Sequence, residues 1–131
     1  MDNELTIGKQ NMVSLISGKP LEELIKPLKR EILLFDSYVA GTAYVEDEKF
    51  YTDLKEGDKL TLQREPANRF DERAILILDD KKRKLGYVPE KDNIVFARLM
   101  DAGKYLIARV NKAENKASFW KISISIYLVD F

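Results

Sequence analysis

Cysteine and histidine are both missing from the 131 residues. The first absence removes disulfides, thiolate metal sites and thiol nucleophiles. The second removes the commonest general base and a leading metal ligand. A charge of one sign is lacking as well: 22 Lys and Arg stand against 22 Asp and Glu, which is not the footprint of a chain that coats nucleic acid non-specifically. A neutral balance still leaves room for a small site that grips a strand end, where a few contacts and one stacked base supply the affinity. No apolar run approaches membrane-spanning length. The acidic start Met1-Asp2-Asn3-Glu4, and a short apolar run from Met12 to Ile16 broken by Ser14, do not make a signal peptide. The expectation is a cytoplasmic protein with no membrane partner.

Catalytic patterning is equally sparse. Glu65, Asp71, Glu72, Asp79 and Asp80 supply carboxylates, yet no spacing marks an acid and base pair, and neither a phosphate-binding glycine loop nor a nucleophile motif is present. The expected class is non-enzymatic, with no cofactor and no metal.

What the chain does have is 45% hydrophobic residues arranged mainly in short alternating runs, enough for one domain with a modest core. Residues 1–30 read as an N-terminal extension and 31–131 as a β-barrel domain. In the extension, Pro20 followed by Glu22 and Glu23 starts a short helix whose Leu21, Leu24, Ile25 and Leu28 share one face, and Pro27 keeps it brief. That face either packs on the domain or mediates self-association, so the expected state is a monomer or weak homodimer.

From Glu31 the pattern is extended through Tyr38 and Val39 to Ala40-Gly41, where glycine permits a bulge or a close backbone approach. Asp47 and Glu48 mark a turn, and Phe50-Tyr51 anchors the connection onward. Lys59–Arg64 alternates, with Leu60 and Leu62 facing inward. Ala74–Leu78 is apolar on both faces, as in a central strand. Lys84–Val88 returns from a charged hairpin and Pro89 ends it. The four cations Lys81–Lys84 are read as a solvated tip. Asp92 or Asn93 is placed to cap a helix that Gly103 closes. Tyr105–Val110 and Trp120–Val129 are the closing strands, with Asn111–Ser118 as a polar loop between them. Six short strands and one internal helix point to a mainly β fold, a small barrel of the OB or SH3-like kind.

The stretch from Arg64 to Ile75 breaks this rhythm. Pro66 lacks an N–H and biases Glu65 towards extended angles, so the strand ends there. Asn68 and Asp71 are short acceptors that bond back to nearby backbone N–H groups and order the loop. Phe70 and Tyr87 read as core rather than as binding platforms.

Arg64-Glu65-Pro66 with Asn68, Asp71, Ala74 and Ile75 resembles the signature of the HIRAN domain, a module of DNA-repair helicases that also occurs free-standing in bacteria. Val39-Ala40-Gly41-Thr42-x-Tyr44, Gly57-Asp58-x-Leu60 and Leu85-Gly86-Tyr87-Val88-Pro89, leading to Leu99-Met100-Asp101-Ala102-Gly103, follow in order. The resemblance implies the same barrel and a pocket for the 3′ end of single-stranded DNA. By that resemblance Asn68 and Asp71 line the pocket and Tyr44 offers a stacking face. The carboxylate of Asp71 would favour a free 3′ hydroxyl over a phosphorylated end. Arg64 and Lys91 are candidate phosphate contacts, although Arg64 can instead pair with Glu65 or Asp71. Where the helicase domains carry two adjacent aromatics preceded by a basic residue, this chain has Ala43-Tyr44-Val45. The expected function is recognition of single-stranded or damaged DNA ends in repair or replication, alone or beside a repair or replication protein. The alternative is a protein-interaction module that uses a barrel edge or the N-terminal helix.

Overall fold

In the computed structural model, which describes residues 30–44 and 49–130, alternating runs become strands and the punctuating residues become turns. β1 is Arg30–Tyr38, followed by a single 3₁₀ turn at Thr42–Tyr44 and a short helix α1 at Lys49–Thr52. β2 (Lys59–Arg64), β3 (Ile75–Leu78) and β4 (Lys84–Tyr87) precede the helix α2 (Glu90–Asp101), and β5 (Leu106–Asn115) and β6 (Trp120–Asp130) complete the domain. The helix expected within Pro20–Leu28 and the turn expected at Asp47 and Glu48 lie outside the described residues.

The six strands form one sheet in the order β1-β6-β5-β2-β3-β4. β2 pairs antiparallel with both β3 and β5, β3 with β4, and β5 with β6. β1 and β4 are the sheet's two edges, and they meet. Just past β1, Ala40 N–H donates to the Tyr87 carbonyl at 2.7 Å and Tyr87 N–H donates to the Ala40 carbonyl at 2.9 Å. Val39 N–H reaches the Ile122 carbonyl of β6 at 2.9 Å, so this segment spans from β6 to β4 and closes a barrel. Closure removes exposed edges, the usual liability of a small sheet.

Alternation explains the core. Leu60 and Leu62 of β2, Ile75 and Ile77 of β3, and Ile122, Ile124 and Ile126 of β6 pack together inside the barrel, joined by Leu106, Ala108 and Val110 of β5. Leu76 and Ile107 are buried on the opposite faces of their strands, as the unbroken apolar run of β3 implies. Phe96 and Ala97 of α2 join the same core. Tyr51 is buried too, and its hydroxyl donates to the Leu85 carbonyl at 2.7 Å, so the Phe50-Tyr51 pair does anchor its connection.

Two expectations are corrected. The Asn111–Ser118 loop is largely strand: β5 continues to Asn115, with Lys112 opposite Ser123 and Asn115 opposite Trp120. The register shifts between Val110 and Lys112, so Asn111 is the extra residue of a bulge, and its Nδ2 donates to Ser125 Oγ at 2.8 Å. Ladder hydrogen bonds need no apolar side chains, which is why polar composition misled here. The second correction concerns α2, which starts at Glu90 behind Pro89 without any side-chain cap. Asp92 and Asn93 are committed to tertiary bonds instead: Asp92 Oδ2 accepts from Ser37 Oγ at 3.2 Å and Asn93 Nδ2 donates to Asp71 Oδ2 at 2.7 Å. The C-terminal expectation holds. Gly103 sits at φ 92° and donates to the Met100 carbonyl while Lys104 donates to Leu99, a Schellman closure.

Gly86 is what allows the edges to meet. Its φ is 153°, and a Cβ built there would lie 2.3 Å from the Ala40 carbonyl oxygen and 2.6 Å from a Val39 methyl. Gly86→Ala is therefore expected to destabilise the domain by about 3 kcal/mol through forced separation of the closure bridge. Gly103→Ala, where a Cβ meets nothing within 4 Å, should cost only about 1 kcal/mol for its backbone angle. Urea unfolding of both variants checks this, and equal losses would contradict the steric account.

Candidate functional site

The loop between β2 and β3 is built by its own polar residues. Asn68 Oδ1 accepts from the backbone N–H groups of Phe70 at 2.9 Å and Asp71 at 3.0 Å, and Asp71 Oδ1 accepts from Arg73 N–H at 2.9 Å. These successive Asx turns fix the backbone and leave the Phe70 ring 93% exposed. The expectation that Phe70 belongs to the core is thus overturned, because the Asx turns of Asn68 and Asp71 on either side of it hold its backbone with the ring outward.

Three further bonds tie the loop to its surroundings. Glu65 Oε1 accepts from Asn68 Nδ2 at 3.1 Å and from the Tyr87 hydroxyl of β4 at 2.7 Å. Asp71 Oδ2 accepts from Asn93 Nδ2 of α2 at 2.7 Å. Strand, loop and helix border an open cavity of about 240 Å³ lined by Asn68, Phe70, Asp71, Tyr87, Glu90 and Asn93, among others. Burial pushes the Asp71 carboxyl up, but the Arg73 N–H, the Asn93 amide and the charges of Arg73 and Arg64 outweigh it, and its pKa falls below the ordinary value. Burial raises the Tyr87 phenol, and its bond to Glu65 raises it further, so it remains a donor.

Tyr44 faces a neighbouring groove. The 3₁₀ turn that carries it is pinned where Thr42 Oγ1 donates to the Trp120 carbonyl at 2.6 Å, leaving Tyr44 91% exposed. Its cavity, about 250 Å³, is also lined by Ala40, Phe119, Trp120 and Lys121. Ala40 lines this groove and Tyr87 lines the Asp71 cavity, so the closure bridge is the wall the two share.

Of the residues singled out from sequence, Asn68 and Asp71 are brought together and Tyr44 stands across that wall. Arg64 is committed elsewhere. Its Nε and one terminal nitrogen grip the Asp101 carboxylate at 2.9 and 3.1 Å, and the other nitrogen donates to the Ala74 carbonyl at 2.9 Å. That pairing, chiefly through its hydrogen bonds, holds the Asp101 carboxyl below its ordinary range. Neither Glu65 nor Asp71 is the partner of Arg64. Lys91 points its ammonium over the Tyr38 ring at 5.6 Å and lines a third, apolar groove between β1 and α2. Sequence reading took Asn93 as a helix cap and Glu65 as a motif residue without its Asn68 and Tyr87 partners, and missed Phe119 and the outward Phe70. The Asn-x-Phe-Asp spacing carries the signal for Phe70, since an Asx turn on each side of an aromatic presents it.

The HIRAN domain family model matches residues 32–129. The chain belongs to the HIRAN domain family. Its barrel superposes on a crystal structure of a protein from Lactobacillus plantarum with a TM-score of 0.73 and 28% identity, over 79% of this chain and 99% of that one. A crystal structure of the HIRAN domain of human HLTF aligns with a TM-score of 0.61 and 18% identity, over 76% of this chain and 78% of the other. An NMR structure of the HLTF HIRAN domain gives a TM-score of 0.53, also at 18% identity. No curated protein matches the sequence. The matched residues include the strand-to-loop network and the closure bridge. Among the described residues no helix is long and apolar enough to cross a membrane.

The lowered Asp71 pKa has a stability consequence with a definite sign. A depressed carboxyl contributes stability that is present above its unfolded value, 3.8, and is lost as pH falls through the lower folded value. Asp71→Ala should therefore lose stability at neutral pH and show a shallower decline in acid than the parent. Denaturant midpoints measured from about pH 6 down to about pH 2 test this, and parallel curves would rule out the Asp71 contribution.

Proposed function

We propose that this HIRAN domain is a non-enzymatic nucleic-acid-binding module that seats the 3′-hydroxyl end of a single or damaged DNA strand in the Asp71 cavity, in repair or replication. The observation that carries the reading is the pairing of a fixed carboxylate with an exposed aromatic, Asp71 inside the cavity and Phe70 at its lip. Each Asp71 oxygen accepts one protein hydrogen bond and keeps lone-pair capacity for a hydroxyl. Asp71 and Glu90 both line the cavity, and two carboxylates repel a terminal phosphate, so an unmodified end is favoured. Phe70, and Tyr44 with Phe119 beyond the closure bridge, offer faces for successive unstacked bases. This arrangement needs no basic patch, which agrees with the neutral charge balance.

A specific feature favours a second reading, a protein-interaction module. The groove between β1 and α2 holds about 370 Å³ and is lined mainly by Leu34, Phe35, Ile94, Val95, Phe96 and Leu99. Phe35 and Val95 are 44% and 58% exposed. A protein partner seated there would bind in the presence of nuclease and tolerate Asp71→Ala.

Fluorescence anisotropy with short single strands separates the readings. The strand with a free 3′ hydroxyl should bind more tightly than the same strand with a 3′ phosphate, and Asp71→Ala should erase the difference. Phe70→Ala and Tyr44→Ala should each weaken both strands about tenfold, in line with base stacking of roughly 1 to 3 kcal/mol. Equal affinity for the two ends, or no binding to either, would overturn the end-gripping reading.

A further inference from the structure

The two cations singled out as phosphate contacts are committed elsewhere: Arg64 is bound to Asp101 and the Ala74 carbonyl, and Lys91 lies over Tyr38 in another groove. A third cation is re-aimed by an irregularity in the sheet. Between Ile77 and Leu78 the β3–β4 register shifts, so that Ile77 faces Gly86 and Leu78 faces Lys84, with Leu85 as the extra residue. Three residues apart on a regular strand, Lys84 and Tyr87 would project to opposite faces. The bulge cancels one step of that alternation. Tyr87 stands opposite Leu76 and Lys84 opposite Leu78, two residues apart on β3, so both project from the same face.

Lys84 Nζ accordingly lies over the Tyr87 ring, 4.8 Å from its centroid, within cation–π range. Burial, followed by the bond to Glu65, raises the Tyr87 phenol, and Lys84 is close enough to offset part of that rise. Tyr87 in turn lines the cavity that holds Asp71. Lys84 is exposed, and among the described residues no carboxylate pairs with it. Its neighbour Arg83 is taken up by Asp79 and Asp53, and Arg73 lends its charge to Asp71. An ammonium positioned by a ring and lacking a counter-ion keeps its charge for a ligand.

We propose that Lys84 contacts the phosphate joining the terminal nucleotide to its neighbour when a strand end is seated in the Asp71 cavity. This rests on the end-gripping reading and adds to it the residue that holds the backbone. Asp71 and Glu90 keep phosphate out of the cavity itself, so a backbone cation has to stand at its wall, which is where the bulge puts Lys84. Lys81 remains part of the solvated hairpin tip.

Fluorescence anisotropy of a short strand with a free 3′ hydroxyl, repeated over a salt series, tests this. One lysine–phosphate contact on a single strand contributes about 0.7 to the slope of log K against log salt, or about fivefold in affinity at about 0.1 M salt. Lys84→Met, which keeps an apolar stem over the ring, should reduce the slope by that amount and weaken binding about fivefold. Lys84→Arg should keep both. Lys81→Met removes the same charge from the hairpin tip and should leave the slope unchanged. A strand whose last linkage is an uncharged methylphosphonate should lose the same affinity for the parent protein and none for Lys84→Met. An unchanged slope in Lys84→Met, or an equal fall in Lys81→Met, with the hydroxyl-over-phosphate preference intact, overturns this inference alone. Absence of that preference in the parent protein overturns the end-gripping reading and this inference with it.

Discussion

The backbone bridge between Ala40 and Tyr87 is the constraint from which the rest follows. Its two hydrogen bonds join the strand edges, and they form only because position 86 carries no Cβ. Closure turns an open six-stranded sheet into a barrel whose inward Leu and Ile residues share one core. It also carries the geometry of the candidate site. Tyr87 is held at the junction, where its hydroxyl reaches Glu65 and so anchors the loop that displays Phe70 and Asp71. The bridge separates that cavity from the Tyr44 groove, so a strand contacting both would cross it.

The loop network combines two requirements that usually compete. A binding surface must expose aromatic rings, and exposed rings are ordinarily mobile or collapse onto the core. Here the ring of Phe70 stays outward because its own backbone and that of Asp71 are held by Asn68, while Glu65 and Asn93 fix Asn68 and Asp71 in turn. Each bond contributes on the order of 1 kcal/mol, but losing one partner leaves the next unpaired, so the network acts as a unit. Rigidity of this kind lowers the ordering cost of any binding at the loop.

Much of this was legible in the residues. Period-two alternation identified β2 and β6, the apolar run of Ala74–Leu78 identified a strand buried on both faces, and Gly103 marked the end of α2. Asn68 and Asp71 were recognisable as turn formers, and the order of short motifs pointed to the HIRAN family. What could not be read depended on distant partners. Asn93 looks like a helix cap until the Asp71 carboxylate is placed beside it, and Arg64 looks like a phosphate contact or a partner of Glu65 or Asp71 until Asp101 arrives from the far end of α2. Phe70 looks like core because hydrophobicity alone does not reveal that the flanking turns aim it outward. The second half of β5 was hidden because a polar strand and a polar loop share composition, and only the facing strand β6 distinguishes them.

The most direct test of the account is a titration of isotope-labelled protein with a short single strand ending in a 3′ hydroxyl, followed by amide NMR. The account predicts shifts concentrated on the backbone amides of Phe70, Asp71 and Tyr87 and on the side-chain amide of Asn93, and much weaker shifts with the 3′-phosphate strand. Shifts confined to the charged hairpin at Lys81–Lys84, or no shifts with either strand, would contradict it.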